Sequence, residues 1–398
     1  MCFTPTSGMT GGGGRMPDEI FLVAVPGLEA LVAGEAREAG FRAVTPGPGG
    51  VSVAGGWDEV WRANLCLRGP SRVLARVGSF RAMHLAQLDK RARKFPWGEV
   101  LRADVPVRVE AVCHASRIYH AGAAAERVGR AIAEELGAPV SHGGRAEEEF
   151  AGGVVLKVRI DDDLCTFSVD TSGEGLHKRG HKAQVGRAPM RETLAAMFLR
   201  ACGYRAGEAV LDPMCGSGTF VIEAAEITAG LWPGRAREFA FERLAGFDPV
   251  RWAAMKAGAG AAAVAGPVAG PVVGFGSDRD DGAIRAASAN AERAGVGGIC
   301  AFRRAAISDA APPAGVAPGL VIVNPPYGAR IGDRRQLFAL YGSLGRVMRE
   351  RFGGWRVGIV TSDGGLARAT GLDFLPVSDP VAHGGLRIAL YRTEALAG

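Results

Sequence analysis

The sequence predicts an α/β chain whose second half is a doubly wound parallel sheet, preceded by smaller α+β modules. Three observations carry that prediction. From about residue 190 onward, short apolar runs alternate with helix-length amphipathic segments, as repeated β-α units do. A glycine-rich turn, DPMCGSGT from Asp212 to Thr219, joins one such run to the helix that follows. The front half instead mixes alternating strand patterns with isolated helices.

The elements follow in order. Residues 1–15, with Gly11 to Gly14 and no apolar period, read as a disordered leader. EIFLVAV from Glu19 is a strand, and PGLEALVAGEAREAG a helix stopped by Gly40. Short strands are expected at Ala43–Val44 and Val51–Val53, then a helix from Trp57 with Asp58 in its first turn. Val105–Cys113 alternates like a strand, and Ala121–Leu136 is a helix. Val154–Ile160 and Leu164–Asp170 form a hairpin around Asp161 to Asp163. In the second half, helices at Met190–Cys202, Thr219–Gly230, Asp281–Ala294 and Gln336–Phe352 interleave with strands at Ala209–Leu211, Pro271–Phe275, Leu320–Val323 and Arg356–Thr361. Ala253–Gly270, rich in Ala and Gly, reads as a loose surface insertion.

A chain of 398 residues suits two or three domains, and 47% hydrophobic residues suffice for ordinary cores. No apolar run reaches the roughly 18 residues that cross a bilayer. Phe21–Val25 is too short for a signal peptide and follows Asp18 and Glu19, so a cytoplasmic protein with no membrane partner is expected. The seven cysteines, Cys2, Cys66, Cys113, Cys165, Cys202, Cys215 and Cys300, stand singly with no CxxC pair, which argues against a disulfide framework or a metal site. Net charge is +6, but Arg68 to Arg117 holds eleven Lys/Arg against four acids. That local excess of seven exceeds the charge of the whole chain, and such a stretch can meet phosphates.

In the turn, Gly216 and Gly218 allow a sharp bend and close approach of backbone to a ligand. The spacing is neither G-x-G-x-x-G nor a P-loop, so it offers no lysine to phosphates. Asp212 ends its strand at the carboxyl edge, where doubly wound sheets bind ligands. Some 60 residues on, GFGSD closes another strand at Asp278, whose carboxylate can bond both hydroxyls of a ribose; Asp280 and Asp281 compete for that role, or cap the next helix.

VIVNPPYG, Val321 to Gly328, is the most informative stretch. Two prolines fix the backbone and remove two N–H donors, leaving carbonyls outward. Asn324 adds a side-chain carbonyl, giving an acceptor pair for an NH2 group, and Tyr327 offers a face on which a base can stack. An exocyclic amine is a poor nucleophile because its lone pair is conjugated with the ring. Fixed acceptors on its hydrogens favour sp3 character and aim the lone pair at an electrophilic methyl.

Taken together, these residues resemble the THUMP-containing RNA guanine methyltransferases, and among them the bacterial 23S rRNA guanine-(2-amino) methyltransferase group. The resemblance runs from about Met16 to the end. ANLCLRGPSRVL (Ala63 to Leu74) is similar to the family's entry into THUMP, while DTSGEGLHKRGHK (Asp170 to Lys182) and APMRETLAAMFL (Ala188 to Leu199) are similar to its junction. LDPMCGSGTFVIEAA and NPPYGARIG are similar to its cofactor and catalytic motifs. The resemblance implies a ferredoxin-like module over 16–68, a THUMP RNA-binding domain over 69–172, and a Rossmann-like methyltransferase domain over 173–398. It implies S-adenosylmethionine as cofactor and RNA as partner, rRNA ahead of tRNA. Cofactor contact carries onto Asp212, Pro213, Cys215, Gly216, Gly218, Thr219 and Asp278, amine holding onto Asn324 and Pro325, and stacking onto Tyr327. One departure stands out. The family's acid beside the adenine falls here on Ala306, and the nearest carboxylate is Asp309, so either Asp309 serves or backbone alone holds the adenine. NPPY also occurs in enzymes acting on DNA adenine or a protein glutamine amide, which lack the THUMP-like front half. A non-catalytic RNA-binding protein is a further alternative, against which the intact motifs argue.

Overall fold

The computed structural model of the protein describes residues 15–142, 152–182, 190–258, 268–327 and 334–398. All of the expected leader but Arg15 lies outside these. Arg15 itself is anchored: its N–H donates to the Glu99 carbonyl, and its own carbonyl accepts from the Trp57 indole. The described residues divide into two compact units. The first comprises those within Met1–Ala24, Ala33–Leu176 and Arg237–Ala257, and the second those within Val25–Val32, His177–Ala236 and Gly258–Gly398.

The first unit is built on β1 (Glu19–Val23), β2 (Arg42–Gly47), β3 (Gly50–Ala54), β4 (Arg72–Arg81), β5 (Val107–His114), β6 (Val140–His142), β7 (Val154–Asp161) and β8 (Leu164–Asp170). Its helices are α1 (Glu29–Glu38, whose first residues count with the second unit), α2 (Trp57–Cys66), α3 (Leu85–Arg93) and α4 (Ala121–Leu136). The strands form one sheet in the order β2-β3-β1-β4-β8-β7-β5-β6. β4 escapes a reading by apolar runs because arginines alternate with its core residues: Val73, Ala75 and Val77 are buried while Arg72 and Arg76 point the other way. It pairs antiparallel with β1 on one side and β8 on the other, so the expected boundary at residue 68 falls inside a continuous sheet. The β7–β8 hairpin turns at Asp162 and Asp163, both with positive φ, as a two-residue turn between right-twisted strands requires.

The second unit contains β9 (Val210–Asp212), β10 (Gly274–Asp278), β11 (Cys300–Arg304), β12 (Leu320–Val323), β13 (Arg356–Thr361), β14 (Val381–His383) and β15 (Leu386–Arg392). With α5 (Glu192–Ala201) and α6 (Thr219–Thr228) ahead of it in the chain, α7 (Pro249–Gly258) belongs almost wholly to the first unit, whereas α8 (Asp281–Arg293), α9 (Arg334–Arg351) and α10 (Gly364–Ala369) belong to the second. The sheet order is β11-β10-β9-β12-β13-β15-β14. Every pair from β11 to β13 is parallel, and β15 and β14 close the edge antiparallel. β12 is buried at all four residues, as a central parallel strand covered on both faces must be. β10 begins three residues later than its apolar run suggests. Its strand residues Gly274 and Gly276 carry no side chain because a Cβ there would strike Val221 and Phe302. None of the described helices is long and apolar enough to cross a membrane.

The expected domain over 173–398 is interrupted, since Arg237–Ala257 returns to the first unit. Aromatic residues explain why. Phe241, Phe247 and Trp252 lie 5.8, 5.6 and 6.3 Å from the Trp61 ring of α2, centroid to centroid. The expected insertion at Ala253–Gly270 is helical over its first residues, and residues 259–267 of it lie outside the described set. Trp252 is 3% exposed, so Trp252→Ala should destabilise the first unit by about 3–5 kcal/mol in denaturant unfolding. A loss under about 1 kcal/mol would mean that the segment is only loosely attached.

Candidate active site

Three adjacent strands, β10, β9 and β12, end side by side: β10 ends on Asp278, β9 on Asp212, and β12 one residue before Asn324. Register places Gly276 opposite Asp212, and Val321 opposite Leu211. Asp212 therefore stands level with Ile322, two residues below Asn324, with neighbouring strands about 4.8 Å apart. The chain runs from β9 to β10 on one side and reaches β12 on the other, so the strand order reverses here. Such a switch point opens a crevice at the carboxyl edge.

The turn after β9 is shaped by its own acid. Asp212 Oδ1 accepts the Met214 N–H at 3.1 Å, and the side chain is buried beside Pro213. Burial pushes the Asp212 carboxyl up to about 8, helped by the nearby Asp278 charge and opposed by the Met214 bond. Cys215 is buried and burial drives its thiol far above the usual range, so it is no nucleophile. Gly216 and Gly218 adopt φ of +52° and +84°. A Cβ on Gly216 would meet nothing within 4 Å, leaving its surroundings open to a ligand. A Cβ on Gly218 would sit 3.1 Å from Ala287, so that glycine serves packing. Thr219 opens α6, and its hydroxyl oxygen accepts from Lys182 Nζ at 2.9 Å.

The three acids after β10 take separate roles. Asp278 accepts the Gly216 N–H on Oδ2 and the Asp280 N–H on Oδ1, each at 3.0 Å. Asp280 caps α8 by accepting the Gly282 N–H at 2.8 Å, and Asp281 pairs with Arg285. Asp278 thus bridges the two turns, whereas Asp280 and Asp281 are engaged with α8. Asp309 lies in a short 3-10 turn, is exposed, and accepts from the Ser308 hydroxyl. Ala306 comes nearer this corner, because the Ala305 N–H donates to the Asp278 carbonyl.

At the end of β12 the side-chain oxygen of Asn324 is buried without a hydrogen-bond partner among the described residues. Pro325 is buried behind it. A buried acceptor left unmatched costs about 1–3 kcal/mol. Tyr327 is 9% exposed, and burial raises its phenol. Its ring is packed into the protein here rather than held out as an open stacking face.

Sequence reasoning gave no role to the side chains around α6. Arg179 meets Glu223 at 3.3 Å with both side chains 1% exposed, and Glu226 takes Arg235 at 2.5 Å and lies 3.8 Å from His181. Burial lowers the His181 pKa below its ordinary value. The available signal was two glutamates in the otherwise apolar run TFVIEAAEIT. In the first unit, the basic stretch is largely matched. Arg72, Arg76, Arg81, Arg93, Arg102, Arg108 and Arg117 each face a carboxylate, several from distant sequence such as Asp170 and Glu19. Lys90, Arg91 and Lys94, exposed on or just after α3, have no ion pair among the described residues. The described residues likewise contain no cluster able to hold a metal ion.

A glycine turn at the switch point, an acid at the neighbouring strand end and an Asn-Pro-Pro-Tyr loop on the third strand define a class I, S-adenosylmethionine-dependent methyltransferase domain. Residues 179–375 match the model described as RMKL-like, methyltransferase domain, and residues 19–74 match the RlmL ferredoxin-like domain. The chain belongs to the RlmK/L-like methyltransferase family. A putative RNA methyltransferase of Synechocystis sp. is 31% identical over 94% of this chain and 96% of its own length. The ribosomal RNA large subunit methyltransferase K/L of Syntrophotalea carbinolica is 36% identical over 89% of this chain, which spans about half of that relative, 51%. Among solved structures, a predicted N6-adenine-specific DNA methylase from Listeria monocytogenes superposes with a TM-score of 0.80 at 29% identity, covering 95% of this chain and 96% of that one.

Asp278→Ala should weaken S-adenosylmethionine binding by about 1.5–3 kcal/mol in calorimetry, the scale of a hydrogen bond to a charged group. Asp280→Ala should leave affinity intact and cost about 0.5–2 kcal/mol of stability as a lost cap. The reverse pattern would move the ribose role to Asp280. Asp212 generates a pH signature. The folded state holds its proton to about pH 8, whereas an unfolded aspartate releases it near the ordinary 3.8. The native state thus binds more protons between those values, and stability relative to Asp212→Asn should fall as pH rises through that window and level off above it. Parallel stability–pH curves for the two proteins would refute the burial account.

Proposed function

We propose that this chain transfers a methyl group from S-adenosylmethionine to the exocyclic 2-amino group of a guanine in RNA, with 23S rRNA as the RNA. The observation that carries this reading is the Asn324 oxygen, buried and unmatched at the strand end next to the cofactor turn. It supplies one acceptor for an NH2 group, and the Pro325 carbonyl supplies the second. The bound cofactor contributes an electrophilic sulfonium methyl. Asn324 and Pro325 hold the amine hydrogens, orient the lone pair toward that methyl and leave the surplus proton to depart afterwards, so no strong base is needed. Asp278 holds the ribose, Gly216 opens the turn, and the adenine side is served by Asp309 or by the backbone at Ala306.

Ribosomal RNA is favoured over tRNA because the large-subunit methyltransferase relatives carry that description, and an adenine in DNA is the reading that the Listeria structure's description would favour. A ferredoxin-like and THUMP-like front half supports RNA, with Lys90, Arg91 and Lys94 as the phosphate-meeting charges. The guanine leaves its stack to reach the site, and the Tyr327 ring packs against it once uncovered.

Asn324→Ala should cut the single-turnover methylation rate by about 10²–10³ with cofactor affinity nearly unchanged, by analogy with losing one stabilising dipole. Tyr327→Ala should weaken productive RNA binding by about 1–3 kcal/mol, and Tyr327→Phe should be mild. The assay is mass mapping of methylated bases in rRNA and tRNA from a deletion strain, followed by single-turnover kinetics on the mapped substrate. A near-normal rate for Asn324→Ala would sink the amine clamp, and a methylated adenine would replace the substrate.

A further inference from the structure

Lys182 is an unusual residue to bury. Its side chain is 12% exposed, and an unpaired ammonium at that depth would be strongly disfavoured. It is tolerated because three acceptors meet its three N–H donors: the Glu192 carboxylate at 3.1 Å, the Met190 carbonyl at 3.1 Å and the Thr219 hydroxyl at 2.9 Å. Glu192 is itself 7% exposed, so the pair is shielded from water and weakly screened. Two of the acceptors sit at the start of α5, and the third is the first residue of α6, directly after Gly218. One ammonium therefore ties the start of α5 to the residue that ends the cofactor turn.

Electrostatics sharpen the point. The N-terminus of α6 carries the positive end of a helix dipole, where a lysine is ordinarily unwelcome. Stability of α6 alone would select a neutral or acidic group here. Glu192 offsets the repulsion, and the remaining advantage of Lys182 is geometric: three short bonds of fixed direction fix Thr219 in three dimensions. Asn290 acts on the same turn, its side-chain amide donating to the Ser217 carbonyl at 3.1 Å.

We propose that Lys182, locked by Glu192, is a positioning residue for the cofactor: it sets the placement of Thr219 and hence of the Gly216–Gly218 turn, and acts on S-adenosylmethionine binding rather than on methyl transfer. This rests on the methyltransferase reading above. Lys182→Met keeps the length and apolar stem but removes all three bonds. In the full chain, KM for S-adenosylmethionine should rise roughly ten- to hundredfold, the scale on which a small misplacement acts. The kcat at saturating cofactor and KM for RNA should stay within about threefold, and Lys182→Arg should restore most of the loss by supplying charge and donors. Thr219→Val removes one acceptor and leaves the ion pair; its KM shift should be smaller, and in the double variant no greater than in Lys182→Met alone, since both act through one bond. Additive shifts would mean that Thr219 meets the cofactor independently, and would overturn the positioning role. So would an unchanged cofactor KM in Lys182→Met, or a fall in kcat with all KM values moving together, as general loosening produces. If Lys182→Met fails to fold, Glu192→Gln decides, because it loosens the ammonium without altering the turn: raised cofactor KM at constant kcat supports the role, and no change refutes it. Wild-type protein unable to bind S-adenosylhomocysteine would instead remove the methyltransferase reading itself, an outcome visible before any variant is compared.

Discussion

The Asp278 carboxylate takes the N–H of Gly216 on one oxygen and that of Asp280 on the other, and these two bonds tie the turn after β9 to the turn after β10. The second unit depends on that tie. Both turns are irregular backbone at the open edge of a sheet, where no ladder satisfies the amides. Beside that carboxylate the Cys215 N–H donates to the Ser277 carbonyl at 2.9 Å, so backbone and side chain together fix the spacing of the two turns. Asp212 completes the arrangement from below. Raised to about 8 by burial, it carries little charge near neutral pH, so it shapes its turn without repelling Asp278. The two acids can thus stand at neighbouring strand ends because burial keeps Asp212 largely protonated.

The first unit meets a different constraint. A ferredoxin-like module and the strands after it cannot each cover an edge, so they share one, and β4 serves both as the partner of β1 and of β8. The returning segment Arg237–Ala257 adds aromatic cover over α2. The ferredoxin-like match over 19–74 stops just inside β4, at the strand where one module becomes the next.

Much of this was legible in the sequence because local chemistry and global fold agree. Ala121–Leu136, Leu320–Val323 and Arg356–Thr361 were bounded as observed, since each apolar pattern ends at a glycine, an asparagine or a polar turn. The glycine turn was legible because its backbone demands are special, with Gly216 and Gly218 both at positive φ. Where reading failed, a second constraint hid the first. β4 is written as alternating arginines and valines, which looks like charge rather than strand. β10 is broken by glycines required by Val221 and Phe302. The basic excess over Arg68–Arg117 was counted within its own window, whereas several of its partners, Glu19, Glu134, Asp162, Asp163 and Asp170, lie outside it. Charge partners at long range are a property of the fold, and no linear count contains them.

The buried ions around α6 follow the same logic one level down. Arg179–Glu223, Arg235–Glu226 and Lys182–Glu192 lie where apolar side chains of equal volume would be as stable or more so, because desolvation cancels most of the attraction. Apolar packing, however, tolerates sliding and rotation with little change in energy, whereas a guanidinium or ammonium held by directed bonds to a carboxylate has far fewer low-energy geometries. α6 begins on the cofactor turn, so any slide of that helix moves Gly216 and Gly218 relative to Asp278 and Asn324. Directed bonds at the first residue of α6 thus restrict its position in a way that depth of burial alone does not. The two glutamates in an otherwise apolar helix and the lysine at its positive end supply those directed bonds.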